Sequence, residues 1–374
     1  MENSFKKLAI DFGKSLPHKD LPYSKRNWGH GMHSLCSYQG KLKPAIAHHL
    51  VARFTEPGWK VFDPLSGSGT IPLEASLQGR VPIANDLNQL AYILSLAKTG
   101  EFTWDEVNNE RNIIKNIIEN NSKSMDVTQY SDWGYNGPVP TYFHPETYKQ
   151  ILAVRQHMKD NIPHNGASAL IQACILHMLH GNRPYALSRN SHPITPFAPK
   201  GDFEFKEIIP RLDEKLERVR KSLLETKKTN GDSYLNDFNK LTINPVDAVI
   251  TSPPFTNSTR FYITNWMRNW MCGWEPEEFK TKEKEFMEYR QKKSMDIYSD
   301  FFKKCAQWLK PKGRLIMHTG NTKKMNMATE IIARAPSEFK LIHNFDESVA
   351  GREKFGIKDQ GATTDHQYLF FERM

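Results

Sequence analysis

Val61-Phe-Asp-Pro-Leu-Ser-Gly-Ser-Gly-Thr70 decides how the chain folds. A short apolar run meets an acid and a proline. The strand it predicts must end at Asp63-Pro64, because proline cannot donate to a ladder. Gly67 and Gly69 permit positive φ and let a ligand approach the backbone closely. Thr70 is then placed to cap a helix running through Pro72-Leu-Glu-Ala-Ser-Leu77. The turn is neither a Walker loop nor a G-x-G-x-x-G fingerprint. Downstream, Val81-Pro-Ile-Ala-Asn-Asp86 predicts a second strand, and Gln89–Lys98 a richly apolar helix. Residues 59–99 therefore read as strand, loop, helix, strand, helix, the opening of a doubly wound α/β sheet. An acid closing the second strand stands where dinucleotide folds hold ribose hydroxyls. Asp86, with Leu87 after it and Asp63 before the glycines, points to a nucleoside site.

Far downstream, Val249-Ile-Thr-Ser-Pro-Pro-Phe255 repeats the arrangement of a β-prone run stopped by proline. Ser252 precedes a proline and is pushed into an extended conformation. The loop is stiff, and it fixes a hydroxyl, a carbonyl and an aromatic ring relative to one another. In an open α/β sheet, ligands bind at this C-terminal end of a strand.

The two stretches, in this order, resemble those of the S-adenosylmethionine-dependent DNA amino-methyltransferases. Within that family Ser-Pro-Pro-aromatic is typical of cytosine-N4 enzymes, and Asp-Pro-Pro-Tyr of adenine-N6 enzymes. The resemblance covers roughly residues 28–99 and 230–374. It implies a Rossmann-like class I methyltransferase sheet with a C-terminal antiparallel hairpin, and S-adenosylmethionine as cofactor. It further implies that Asp63, Pro64, Ser66, Gly67, Ser68, Gly69, Thr70, Asp86 and Leu87 surround that cofactor. A His-rich segment before the glycines lines the methionine end of the family's pocket, which carries over Tyr38 and Lys41. An Asp in the next strand accepts from the cofactor's adenine amine, and Asp232 of Gly231-Asp-Ser233 takes that part. As a plain residue, Asp232 suits a turn equally well.

The chemistry expected of the downstream loop follows from the nucleophile. An exocyclic base amine has its lone pair delocalised into the ring and attacks poorly. Hydrogen-bond acceptors on its protons favour a pyramidal nitrogen with the lone pair aimed at the methyl donor. The Ser252 hydroxyl and Pro253 carbonyl are the candidate acceptors, Pro254 stiffens the loop, and Phe255 is placed to stack on the base. Positioning and electrostatics then carry most of the rate. A paired amine is out of reach, so the base must leave the duplex. The resemblance thus implies N4-methylation of cytosine in double-stranded DNA, as one half of a restriction-modification system whose cognate endonuclease acts separately. Adenine-N6 methylation is the nearer alternative. Guanine-N2 methylation of tRNA is the more distant one, since those enzymes share a similar Gly-rich loop.

Composition agrees with a polyanionic partner. The 374 residues hold 51 Lys and Arg against 42 Asp and Glu, a net charge of +9. The four cysteines are scattered with no C-x-x-C pair, so neither a disulfide framework nor a zinc site is expected. No run is apolar enough to span a membrane, and a cytoplasmic, nucleoid-associated prokaryotic enzyme is expected. Residues 1–27 read as a basic arm broken by Pro17 and Pro22. Residues 100–229 carry helical periodicity, too long for a βα connection, and read as an inserted recognition region. Its loop from Gly181 to Phe197 offers Arg183 and Arg189 to guanine edges or phosphates. His177 and His180 lack a third ligand and read as a core or surface pair. After the Ser-Pro-Pro-Phe loop, Arg260 and Trp266, Trp270 and Trp274 interleave charge with aromatic rings. That mix suits stacking on unpaired bases, but the four-residue recurrence marks the buried stripe of a helix, and at least two of the three tryptophans read as core. Residues 275–295, strongly charged, read as a solvated helix.

Overall fold

The computed structural model describes residues 4–256, 261–322, 325–349, 353–354, 357–358 and 363–374. The long strands are β1 (Lys60–Asp63), β2 (Val81–Asp86), β3 (Asp232–Leu235), β4 (Val246–Thr251), β5 (Leu309–Thr322), β6 (Phe339–Ser348) and β7 (Thr363–Arg373). They form one sheet in the order β3-β2-β1-β4-β5-β7-β6. The first five run parallel, and β7 is antiparallel to both its neighbours. The chain reverses its direction of travel across the sheet between β1 and β4. Ligands of doubly wound sheets bind outside the C-terminal strand ends at that point.

The helices are α1 (Ser4–Ser15), α2 (Pro44–Phe54), α3 (Thr70–Leu77), α4 (Gln89–Thr99), α5 (Trp104–Asn121), α6 (Pro145–Asp160), α7 (Gly166–Met178), α8 (Ile208–Leu223), α9 (Phe261–Thr264), α10 (Trp266–Met271), α11 (Glu278–Thr281), α12 (Met287–Lys293), α13 (Ile297–Trp308) and α14 (Met327–Ile332). Strand β1 is buried from both sides by alternation. Val61 faces a cluster with Phe5, Phe12 and Phe54, while Phe62 faces one with Phe301 and Trp308. In β7, Tyr368 and Phe370 join the first cluster, Leu369 and Phe371 the second.

The segment expected as a basic arm is instead part of the body. Phe5, Ala9 and Phe12 lie on one face of α1 and are buried. Phe12 packs edge-on against Phe54 at 5.7 Å and Tyr368 at 5.6 Å between ring centroids. Three apolar side chains at helical spacing outweigh the lysines between them.

Residues 104–223 contain α5 to α8 and no strand of the sheet. This block is no detachable module. One core joins Val107, Ile118, Ile151, Leu170 and Leu212 to Leu94 of α4 and Trp270 of α10. Helix α7 is apolar almost all round and sits inside that core. In α8 only Ile208, Leu212, Leu216 and Val219 are buried, leaving the charged residues on the solvent face.

The Trp266–Trp274 segment belongs to the core as well. Trp266, Trp270 and Trp274 are buried, and Arg268 is 0% exposed. Its guanidinium donates to the carbonyls of Leu176, Pro193 and Ile194. These rings and this cation hold α10 against the insertion and are not available to stack on bases.

Phe12→Ala should destabilise the chain by about 3–5 kcal/mol, the cost of emptying a buried aromatic site. Denaturant unfolding checks it, and a change under about 0.5 kcal/mol would mean that α1 is not docked in solution.

Candidate active site

Strand β1 delivers Asp63 to the C-terminal rim of the sheet, and Pro64 ends the strand. Gly67 and Gly69 adopt φ of 51° and 70°. Gly69 itself is the left-handed N-cap of α3, and Thr70 is the helix's first residue rather than its cap. The loop is tied to β2 by Asp86, whose Oδ2 accepts from the Gly67 amide at 2.9 Å and whose Oδ1 accepts from Asn88 at 2.8 Å. The Asn85 amide donates to the carbonyls of Pro64 and Asn236. Behind the loop, the buried Lys98 ammonium donates to the Ser68 carbonyl. Burial, with Lys41 nearby, pulls its pKa down to about 7.

A cavity of about 1270 Å³ opens over this loop. Tyr38, Lys41, Gly67, Asp86 and Leu87 line it, and so do Ser252, Pro253, Pro254 and Phe255. Asp63, Ser66, Ser68 and Thr70 line an adjoining recess that shares Tyr38, Lys41, Gly67 and Ser252 with it. The two sequence stretches thus meet at one site across 180-odd residues of chain. Their direct link is a hydrogen bond from Thr251 Oγ1 to Asp63 Oδ1, 2.7 Å long and buried.

Two expectations fail on position. Asp232 opens β3 opposite Ile83, whereas the strand's C-terminal end, Leu235, lies opposite Asp86. It is exposed and stands at the wrong end of the strand to reach the cavity, where Asn236, Asp237 and Phe238 stand instead. Arg189 is spent internally. It donates to the carbonyls of Gly201 and Thr141 and lies 4.5 Å over the Phe203 ring, geometry that fixes a loop. Arg183 is exposed and does not line the cavity. Arg260 lies outside the described residues.

Several lining residues came from stretches that carried no motif. The 275–295 stretch, expected as a solvated helix, buries Met287, Glu288 and Gln291 of α12. Gln291 Nε2 donates to the Pro254 carbonyl at 2.8 Å, and Tyr298 in turn holds Gln291, so α12 braces the loop. Glu288 lines the cavity with one carboxylate oxygen unpartnered among the described residues. His318, at the C-terminal end of β5, reaches Ser252. Gly320 allows Phe255 to lie on the β5 backbone, since a Cβ there would be 2.3 Å from the ring.

The site is charged against itself. Burial raises the pKa of Asp63 to about 7, of Asp86 to about 6 and of Glu288 to about 7. These carboxyls fit a ligand that brings positive charge and hydroxyl donors into the cavity, as S-adenosylmethionine does with its ammonium, sulfonium and ribose. Gly67 completes the fit, because a Cβ there would meet only Tyr38, at 3.8 Å, across the opening.

Fold and cavity together suit a methyltransferase that uses S-adenosylmethionine. Residues 33–130 match the family model of the RMKL-like methyltransferase domain. Among solved structures, TrmN from Thermus thermophilus is 13% identical, with 90% of this chain covered and a TM-score of 0.37. This chain spans 50% of that one. The rRNA methyltransferase aviRa from Streptomyces viridochromogenes is 10% identical over 90% of this chain and 88% of that one, at a TM-score of 0.33. A methyltransferase from Pyrococcus furiosus is 8% identical over 99% and 98%, at 0.37. Likeness at this level carries no substrate. No curated protein matches the sequence. No helix among the described residues is long and apolar enough to cross a membrane, and no three His, Cys, Asp or Glu among them group to hold a metal. The four cysteines are buried and unpaired.

The raised carboxyls give a pH dependence with a definite sign. Their folded pKa values lie above the unfolded ones, so they bind protons that the unfolded chain has lost, and their stability cost grows as pH rises from about 4 to 7. A cationic cofactor binds the ionised forms and releases those protons. Affinity for S-adenosylmethionine should therefore rise roughly tenfold between about pH 5.5 and pH 8. Calorimetry should register proton release near pH 6.5, and Asp63→Asn should flatten the curve. A pH-independent affinity would remove the carboxyls from the site.

Proposed function

We propose that this methyltransferase acts on an exocyclic base amine of nucleic acid, and specifically on N4 of cytosine in DNA. The observation that carries the reading is the Ser252-Pro-Pro-Phe255 loop, braced by Gln291 and facing the cavity beside the Gly-rich loop. Bound S-adenosylmethionine supplies the methyl group. Tyr38, Lys41, Asp63 and the Ser66–Thr70 turn hold its methionine end, and Asp86 its ribose. Asp237 and Phe238 replace Asp232 at its adenine. The Ser252 hydroxyl and Pro253 carbonyl accept from the target amine, orienting its lone pair. Phe255, supported from below by Gly320, stacks on the base. The base swings out of its helix to get there, which the size of the cavity accommodates.

Serine at position 252 favours cytosine over adenine. A neutral hydroxyl is a weaker acceptor than the carboxylate or amide of adenine-N6 enzymes. The net charge of +9 suits a polyanionic substrate. Modification of this kind fits the protective half of a restriction-modification pair.

The test sets duplex DNA and tRNA side by side with the purified chain and cofactor, followed by digestion and mass spectrometry of the nucleosides. N4-methylcytosine in DNA is the expected product. Ser252→Ala should lose roughly 100-fold in turnover while binding cofactor normally. N6-methyladenine would overturn the choice of base, and methylation of RNA alone would overturn the choice of nucleic acid.

A further inference from the structure

We propose that His318 is a positioning residue of the methyl-transfer centre, one that makes Ser252 an acceptor by taking its hydroxyl proton in a hydrogen bond. The inference rests on the assignment of Ser252 to the target amine. A serine hydroxyl carries one proton and two lone pairs. To accept from an incoming amine without competing for it, Ser252 must direct its own proton elsewhere. His318 Nδ1 lies 3.1 Å from Ser252 Oγ.

The imidazole is built to stay in that role. It is 2% exposed, caged by Phe255 at 5.6 Å, His366 at 4.8 Å and Tyr368 at 5.0 Å between ring centroids. Burial, with His366 beside it, holds its pKa well below the ordinary histidine value. The neutral ring then has one protonated nitrogen and one lone-pair nitrogen. With the lone pair on Nδ1 and the proton on Nε2, both Ser252 lone pairs face the cavity. Nε2 has no hydrogen-bond partner among the described residues. The Ser252 hydroxyl can donate or accept, and an incoming amine that needs an acceptor selects the form in which Ser252 donates to Nδ1. The hydrogen bond forms and breaks no covalent bond, and the proton displaced from the methylated amine leaves to water in the cavity.

Three variants and one spectrum test this. His318→Phe keeps a ring in the cage but removes the acceptor. His318→Asn restores an acceptor near the Nδ1 position. The phenylalanine variant should lose on the order of 10- to 100-fold in kcat with the dissociation constant for S-adenosylmethionine unchanged. The asparagine variant should recover most of that loss. In a Ser252→Ala background, His318→Phe should cost less than about twofold more, since the pair acts as a unit. In the cofactor-bound protein, nitrogen-15 NMR of the histidines should show His318 unprotonated at Nδ1. A protonated Nδ1, or a His318→Phe enzyme with wild-type kcat, overturns the inference and leaves the proposed function standing. A wild-type enzyme that methylates neither DNA nor RNA overturns both.

Discussion

The hydrogen bond from Thr251 to Asp63 is the constraint on which the site depends. It joins the last residue of β4 to the last residue of β1, inside the protein, where both groups are shielded from water. Each of these strands feeds one of the two loops that face the cavity. Parallel pairing of β1 with β4 aligns them only through Val61–Ala248 and Phe62–Val249. The side-chain bond adds a tie beyond those pairs, at the point where the chain leaves the sheet. The Gly-rich loop and the Ser252-Pro-Pro-Phe255 loop are thereby set at a fixed separation, as the proposed methyl transfer between two bound partners requires.

The same bond is costly to keep. Asp63 has little water to stabilise its charge, and its pKa rises in spite of the hydroxyl and the Leu65 amide that it accepts from. A carboxyl held near neutrality follows from burial at a preorganised site, and perturbed groups of this sort gather where ligands bind. Asp86 and Glu288 share the condition on the other walls of the cavity. A cation relieves this frustration, and S-adenosylmethionine supplies one.

Much of this was legible in the sequence where chemistry is local. Proline after an acid, glycines at 67 and 69, and two prolines after Ser252 dictate backbone geometry on their own. Strand ends that depend on pairing were harder to read. Gly231-Asp-Ser233 looks like a strand end because its residues suit turns, yet β3 begins there, and only its register with β2 reveals that the cavity lies four residues on. Arg189 illustrates another limit. Its loop suggests a nucleic-acid contact, whereas the carbonyls of Thr141 and Gly201 claim its guanidinium. His318, Glu288 and Gln291 carry no local signal. They matter because β5 and α12 come to rest beside a loop that lies about 30 to 70 residues away in sequence.

The most direct measurement of the arrangement is a crystal structure of the chain with S-adenosylmethionine bound. The expected result places the ribose hydroxyls on Asp86, the methionine end in the recess beside Asp63 and Lys41, and the sulfonium methyl directed at the space in front of Ser252. A cofactor whose methyl points away from Ser252, or whose ribose makes no contact with Asp86, would contradict it.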